Sequence, residues 1–343
     1  MNTPEASPSR ICLLAAPETS PSVLYGLLEV LGTVGAIYPE ITTGEPGQPL
    51  LEVKVVAADA EPFRSAMGMM VEPDLALSEV ESTDCVVVCD MYQPIDAPPH
   101  GRYVQEIAWL HRMYREGALI TSVCSGSLLL AESGLLDGRE AAGHWCYRDL
   151  IRRHYPGVKL REDLVLCLAE ADERIVTAGA VNSWQELAVY LIARFAGREQ
   201  AMQTAKVFLF TEHSEGQLPY AVCVPQPQTA DAAIADSQVW IADNLACSNP
   251  VSRMGEHAGL KPRTFARRFR AATGYHPMEY VHTLRIEGAK RQLESDQAAV
   301  DDVGLAVGYE DPTSFRRLFR RKTGMTPSTY RRKFNRLVAP GGC

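Results

Sequence analysis

The sequence predicts two folds in one chain: an α/β domain with a mostly parallel sheet, then an all-α domain with two helix-turn-helix motifs. Three observations carry this. Strand-like and helix-like segments alternate over residues 10–210. A block near the C-terminus is written twice, fifty residues apart: Pro262-Arg263-Thr264-Phe265-Ala266-Arg267-Arg268-Phe269 recurs as Pro312-Thr313-Ser314-Phe315-Arg316-Arg317-Leu318-Phe319. Charge also divides the chain, with 16 Lys/Arg against 30 Asp/Glu up to residue 230 and 18 against 12 beyond it. The net charge of −8 thus hides a basic module, which points to a nucleic-acid partner for one half only.

Along the first half, Arg10–Ala15 is an apolar run followed by a helical stretch, Ser22–Val34. Leu51–Ala57 reads as a strand. Asp84–Cys89 and Ala118–Val123 are short apolar runs, as expected of parallel strands buried on both faces. His100–Glu116 has helical periodicity. The second buried strand leads straight into Cys124-Ser125-Gly126-Ser127 and a helix, Leu128–Ser133. Leu164–Cys167 and Arg174–Thr177 read as a strand pair, and Asn182–Phe195 and Glu199–Phe210 as helices. The first domain is therefore set at residues 10–212. Residues 213–230 carry Gly, Pro and Gln without periodicity, including Pro225-Gln226-Pro227-Gln228, and read as a linker.

Residues 231–335 read as helices with short turns. Val251–Ala258 is a short helix, Gly259 supplies the turn, and Pro262 suits the first position of the next helix. Phe265 and Phe269 mark the core face, with Arg263, Arg267 and Arg270 opposite. The second copy runs Val300–Val307, Gly308-Tyr309, then Pro312, Phe315 and Phe319, with Arg316, Arg317, Arg320 and Arg321 toward solvent. Segments 261–273 and 312–323 each hold five basic residues and no acid. Helices of this form enter the DNA major groove, where arginine pairs with guanine and outer cations hold phosphate. Pro277–Glu294 reads as one long amphipathic helix that spaces the two units by about one DNA turn, roughly 34 Å.

No run of about 20 apolar residues marks a membrane span, and the N-terminus lacks a secretion signal. The nine cysteines are scattered without a Cys-x-x-Cys pair, so neither a metal, a cofactor nor a disulfide framework is expected. A cytoplasmic location fits. Cys124, between a buried strand and a helix, has the placement of a nucleophile at a sharp turn, with the helix N-terminus favouring a thiolate and His144 as its base or hydrogen-bond partner. A packed structural cysteine is the alternative.

Two resemblances sharpen this reading. The run Gly308-Tyr309-Glu310-Asp311-Pro312 through Phe319, with Thr323-Gly324-Met325-Thr326-Pro327 and Tyr330-Arg331-Arg332, resembles the signature of AraC/XylS-type transcription regulators over about residues 235–335. That resemblance implies two helix-turn-helix units reading adjacent major-groove segments of double-stranded promoter DNA, with RNA polymerase as a further partner. By family position it implicates Arg263, Ala266 and Arg267 in the first helix and Thr313 and Arg317 in the second, while Arg270, Arg316 and Arg320 flank them. Ser122-Val123-Cys124-Ser125-Gly126, the run Leu128–Gly138, Gly143-His144-Trp145, Gly26–Val30 and Ala178-Gly179-Ala180 resemble the DJ-1/PfpI superfamily of class I glutamine-amidotransferase-like folds, in the version fused to AraC-type domains. This implies an α/β flavodoxin-like (DJ-1/PfpI-type) sandwich that dimerises and senses a small-molecule effector. The range of such regulators implies an amine, amino acid or quaternary-ammonium metabolite.

The chain departs from the enzymes of that superfamily. Cys89-Asp90-Met91-Tyr92 replaces a Pro-Gly-Gly turn whose N–H groups approach a developing oxyanion, and Ser125 replaces a histidine after the elbow. Val23 replaces an acidic residue in the first helix. These changes favour a pocket without turnover, lined by Glu18, Asp90, Met91, Cys124, Ser125, His144 and Trp145. Acidic and aromatic groups there suit a cationic ligand. The alternative function is a cysteine-dependent amidase or hydratase with a DNA-binding appendage.

Overall fold

A computed structural model describes residues 8–169, 174–222, 229–295 and 297–338. The chain divides into two compact units, Met1–Gln217 and Leu218–Cys343. In chain order the first unit runs β1 (Ser9–Leu14), α1 (Pro21–Gly32), α2 (Ile37–Thr43), β2 (Leu51–Ala57), β3 (Phe63–Arg64), β4 (Met70–Val71), β5 (Leu75–Ala76) and β6 (Cys85–Val88). It continues through α3 (Val104–Arg115), β7 (Leu119–Val123), α4 (Gly126–Glu132), β8 (Glu140–Ala141), α5 (Arg148–His154), β9 (Lys159–Leu160), β10 (Leu166–Leu168), β11 (Ile175–Ala178), α6 (Trp184–Phe195) and α7 (Arg198–Val207).

Seven strands form the main sheet in the order β10-β11-β7-β6-β1-β2-β5. Every pair is parallel except β10 with β11. Alternation along the strands fills both faces. Cys12, Leu14, Val86, Val88 and Ile120 pack into one core with α3 and α4, while Ile11, Leu13, Cys85, Val87 and Leu119 pack into the other with α1 and α6. The apolar runs predict such a doubly covered parallel sheet, and its arrangement is the flavodoxin-like sandwich that the resemblance implies.

Several boundaries shift, among them those of three helices. Helix α3 begins at Val104 rather than His100, because Pro98, Pro99 and a left-handed Gly101 hold the preceding residues in a loop. Helix α7 ends at Val207, and the chain leaves it through a left-handed Leu209. Helix α6 starts at Trp184 behind a short 3-10 turn at Val181–Ser183.

The second unit holds α8 (Ala232–Asp243), α9 (Pro250–His257), α10 (Pro262–Thr273), α11 (Pro277–Ser295), α12 (Val300–Ala306), α13 (Pro312–Thr323) and α14 (Pro327–Val338). Both α10 and α13 start at a proline and stop at a left-handed glycine, Gly274 or Gly324. Phe265, Phe269, Met254 and Tyr280 form one core, and Phe315, Phe319, Val303 and Tyr330 form a separate one. Helix α11 is the one long helix expected, but it is buried on more sides than an amphipathic helix would be. Tyr280, Leu284, Arg285, Ile286, Glu287, Ala289 and Lys290 are all buried, because each of the two cores packs on α11.

The stretch read as a linker is anchored in its described parts. His213 Nδ1 lies 2.5 Å from Glu186 Oε1, and Gln217 Nε2 donates to the Leu164 carbonyl at 2.6 Å. Gly179 leaves the space for Gln217, since a Cβ there would fall 1.9 Å from its Nε2. Within the second unit, Tyr220 packs on Phe334, and the Ala221 carbonyl accepts from Lys290 Nζ. Pro225-Gln226-Pro227-Gln228 lies outside the described residues.

Candidate ligand site and candidate nucleic-acid interface

Cys124 follows β7 and precedes α4, and its φ of 53° lies in the left-handed region that a side chain rarely adopts. Its N–H donates to the Ala178 carbonyl at 2.8 Å, which ties the elbow to β11. Gly126 permits the sharp turn, because a Cβ there would meet the Val88 carbonyl oxygen at 2.4 Å. The elbow therefore sits at the C-terminal edge of the parallel strands, where open α/β sheets place ligands.

Two loops close over it. Ser20 N–H donates to the Asp90 carbonyl, Tyr92 N–H donates to the Glu18 carbonyl, and Thr19 bridges Met91. Ser125 Oγ donates to Asp90 Oδ1 at 2.7 Å and accepts from Met91 N–H at 2.7 Å. Glu18, Asp90, Met91, Cys124 and Ser125 are thus brought together. Asp90, Met91, Cys124 and Ser125 are buried, so in this form they knit the site shut rather than line an open pocket. Glu18 is half-buried and ion-paired with Arg102. The acidic groups expected from the sequence are thus joined by a cation, Arg102.

The electrostatics contradict an activated nucleophile. Burial, and then the Asp90 carboxylate, push the Cys124 thiol well above its ordinary range. His144 does not partner it. Nδ1 of His144 lies 2.9 Å from Cys146 Sγ and accepts from the Cys146 N–H at 3.2 Å. Burial also lowers the His144 pKa against the pull of Asp90, and it raises the Cys146 thiol to about 11. Trp145, half-buried, lies with its ring 4.9 Å from that of His144.

Several residues escaped the sequence reading. Gln93 Nε2 donates to Tyr103 Oη at 2.6 Å, Arg102 Nη1 donates to Gln93 Oε1 at 3.0 Å, and Tyr147 Oη donates to the Gln93 carbonyl at 3.0 Å. None sits in a recognisable motif; Cys146 alone, next to Trp145, lay within reach of one. A separate hollow of about 600 Å³ lies at the opposite, N-terminal edge of the strands, beside Arg10, Glu52, Asp84 and Leu119. Its position removes it from the elbow.

In the second unit Arg263, Arg267 and Arg270 of α10 are exposed, as are Thr313, Arg316, Arg317 and Arg320 of α13. Ala266 is half-buried and lines a hollow of about 560 Å³ with Arg267, Arg270, Ala271 and His276. His276 was not anticipated; its only signal is its place before the helix-starting Pro277. The two helices begin differently. Asp311 caps α13 by accepting from the Thr313 and Ser314 N–H groups at 3.0 Å, whereas Lys261 gives α10 no side-chain cap. Arg316 pairs with Asp301, and Arg268 makes a bidentate pair with Asp231, the cap of α8.

Residues 48–194 match the DJ-1/PfpI family, and residues 254–333 match a helix-turn-helix domain family. The chain joins a DJ-1/PfpI domain to an AraC-type helix-turn-helix domain. Two of the relatives match over most of this chain, and a third over about half of it. The HTH-type transcriptional regulator CdhR of Pseudomonas aeruginosa is 28% identical over 87% of each chain. The HTH-type transcriptional regulator GlxA of Rhizobium meliloti is 26% identical over 84% of this chain and 87% of its own. Isonitrile hydratase of Pseudomonas putida is 26% identical over 55% of this chain and 76% of its own. The DJ-1/PfpI domain thus carries the elbow cluster, and the AraC-type domain carries the exposed arginines.

Proposed function

We propose that this chain is a ligand-responsive, sequence-specific transcription regulator of a catabolic operon. The observation that carries the reading is the pair of repeated helix-turn-helix units in one compact body, each presenting arginines on the exposed face of its second helix. Arg263, Ala266, Arg267 and Arg270 then face one major-groove segment of promoter DNA, and Thr313, Arg316, Arg317 and Arg320 face the next. Arg316 reaches DNA only by leaving Asp301 or carrying it along. The regulator acts as an activator through RNA polymerase, in the cytoplasm, as a homodimer joined by its DJ-1/PfpI domain.

That domain is the sensor, and its effector is a small amine, amino acid or quaternary-ammonium metabolite. Support comes from Asp90 and the Glu18–Arg102 pair, which offer both signs of charge, and from the Trp145 and Tyr147 rings near His144. An effector acts by binding the active and inactive arrangements unequally.

The second reading is a cysteine-dependent hydratase, favoured by the likeness of the first unit to isonitrile hydratase. The protonated Cys124 and the His144–Cys146 pairing argue against it. The test is in two parts. Purified full-length chain should retard promoter-region fragments in a salt-dependent manner, and its melting temperature should rise with one member of an amine, amino-acid and betaine panel. Induction that survives Cys124→Ala supports the sensor. Turnover of a nitrile or amide that is lost in Cys124→Ala supports the enzyme instead.

A further inference from the structure

The Arg285 side chain is buried in the middle of α11, and all three of its hydrogen-bond acceptors are main-chain carbonyls. Nε donates to Leu245 at 2.8 Å, Nη2 to Cys247 at 2.9 Å and Nη1 to Gly308 at 2.8 Å. Leu245 and Cys247 lie just past the C-terminus of α8, in the first helix-turn-helix half. Gly308 lies just past the C-terminus of α12, in the second. One cation therefore satisfies carbonyls in two interhelical turns that belong to different halves. Its planar fork fixes the directions of all three bonds, which a lysine ammonium does not.

The fit is close on every side. The Tyr309 ring lies under the guanidinium at 5.3 Å. Gly308 sits at φ +92°, and a Cβ there would meet Arg285 Nη2 at 2.7 Å and Ala246 Cα at 2.8 Å. The two halves have separate apolar cores, with Leu284 in the first and Ile286 in the second. Arg285 stands between these neighbours and supplies polar bonds to both halves at once.

We infer that Arg285 is the positioning residue that holds α10 and α13 at a fixed spacing and angle, so that the two helices read one site with one permitted separation. This rests on the DNA-binding reading above. Arg285 is buried, so it acts on DNA only through the two helices.

The experiment uses full-length protein and DNA selected by the wild type in vitro. Affinity is measured for the full site, for one half-site, and for full sites with one or two base pairs inserted between the halves. Wild type should lose about tenfold or more on insertion, because the second helix no longer meets its bases. Arg285→Gln and Arg285→Lys should bind a half-site within about twofold of wild type, bind the full site about tenfold more weakly, and lose most of the insertion penalty. Circular dichroism and melting confirm folding. An insertion penalty equal to wild type in a folded variant overturns the proposal, as does failure of both variants to fold, which would make Arg285 a stability residue. A wild type that selects no DNA refutes the function reading instead.

Discussion

His144 Nδ1 lies 2.9 Å from Cys146 Sγ, which turns the imidazole to Cys146 rather than to the elbow cysteine. Burial keeps Cys124 protonated, so its thiolate fraction at neutral pH is small. Iodoacetamide at pH 7.5 should therefore label Cys124 on the order of tenfold more slowly than the half-buried Cys247, as read by peptide mass spectrometry. Rapid, selective labelling of Cys124 would restore the nucleophile reading.

Stability should fall in mild acid. Burial first, then Arg285, Arg321 and Lys322, lower the His282 pKa in the folded chain, and burial lowers that of His144. The unfolded chain takes up these protons first, near pH 6.5. The stabilisation is full above that value and is lost as pH falls through it toward the folded values. Melting temperature should drop from pH 7.5 to 5.5, and His282→Gln should drop less. An equal drop in the variant removes His282 from the account.

Lys290 and Glu287 form a buried pair on α11, with N–O at 3.1 Å, and Lys290 also holds the Ala221 carbonyl. Lys290→Ala leaves a carboxylate and a carbonyl buried without their donor. Urea unfolding should register a loss of about 3–5 kcal/mol. A loss below about 1 kcal/mol would mean that water reaches the site.

Gly308→Ala should destabilise the second unit by about 1–3 kcal/mol from its left-handed backbone alone, and by more through the displaced guanidinium. Gly259→Ala makes a useful control, because Gly259 also has positive φ but nothing within 4 Å of an added Cβ. Equal losses in a urea titration would show that the Arg285 fit adds nothing.

On DNA, Arg317→Ala should cost about 1–3 kcal/mol at one base position and relax preference there. Arg320→Ala should weaken all sequences evenly and reduce the salt slope by about one. Binding measured against a panel of single-base variants at several salt concentrations separates the two. A wild type without salt dependence would end the DNA-binding reading.

The periodic signals were the legible part. The apolar runs at residues 84–89 and 118–123 became the central strands, and the repeated Pro–Phe–Phe–Gly pattern became α10 and α13 with the expected faces. Boundaries moved where local turn chemistry prevailed, as at Gly101 and Leu209. The site was half legible: the elbow showed as a strand-to-helix junction, but Gln93, Arg102 and Tyr147 carry no local pattern.

By itself the sequence determined the two fold types, their order, and which helix faces carry arginine, because each follows from residue spacing along one segment. Only the tertiary structure decided what the buried polar groups do. It turned His144 to Cys146, set Arg102 against Glu18 and fixed Arg285 on three carbonyls. Such partners lie far apart in the chain or differ in burial, and desolvation depends on the surrounding packing, which spacing along a sequence does not specify.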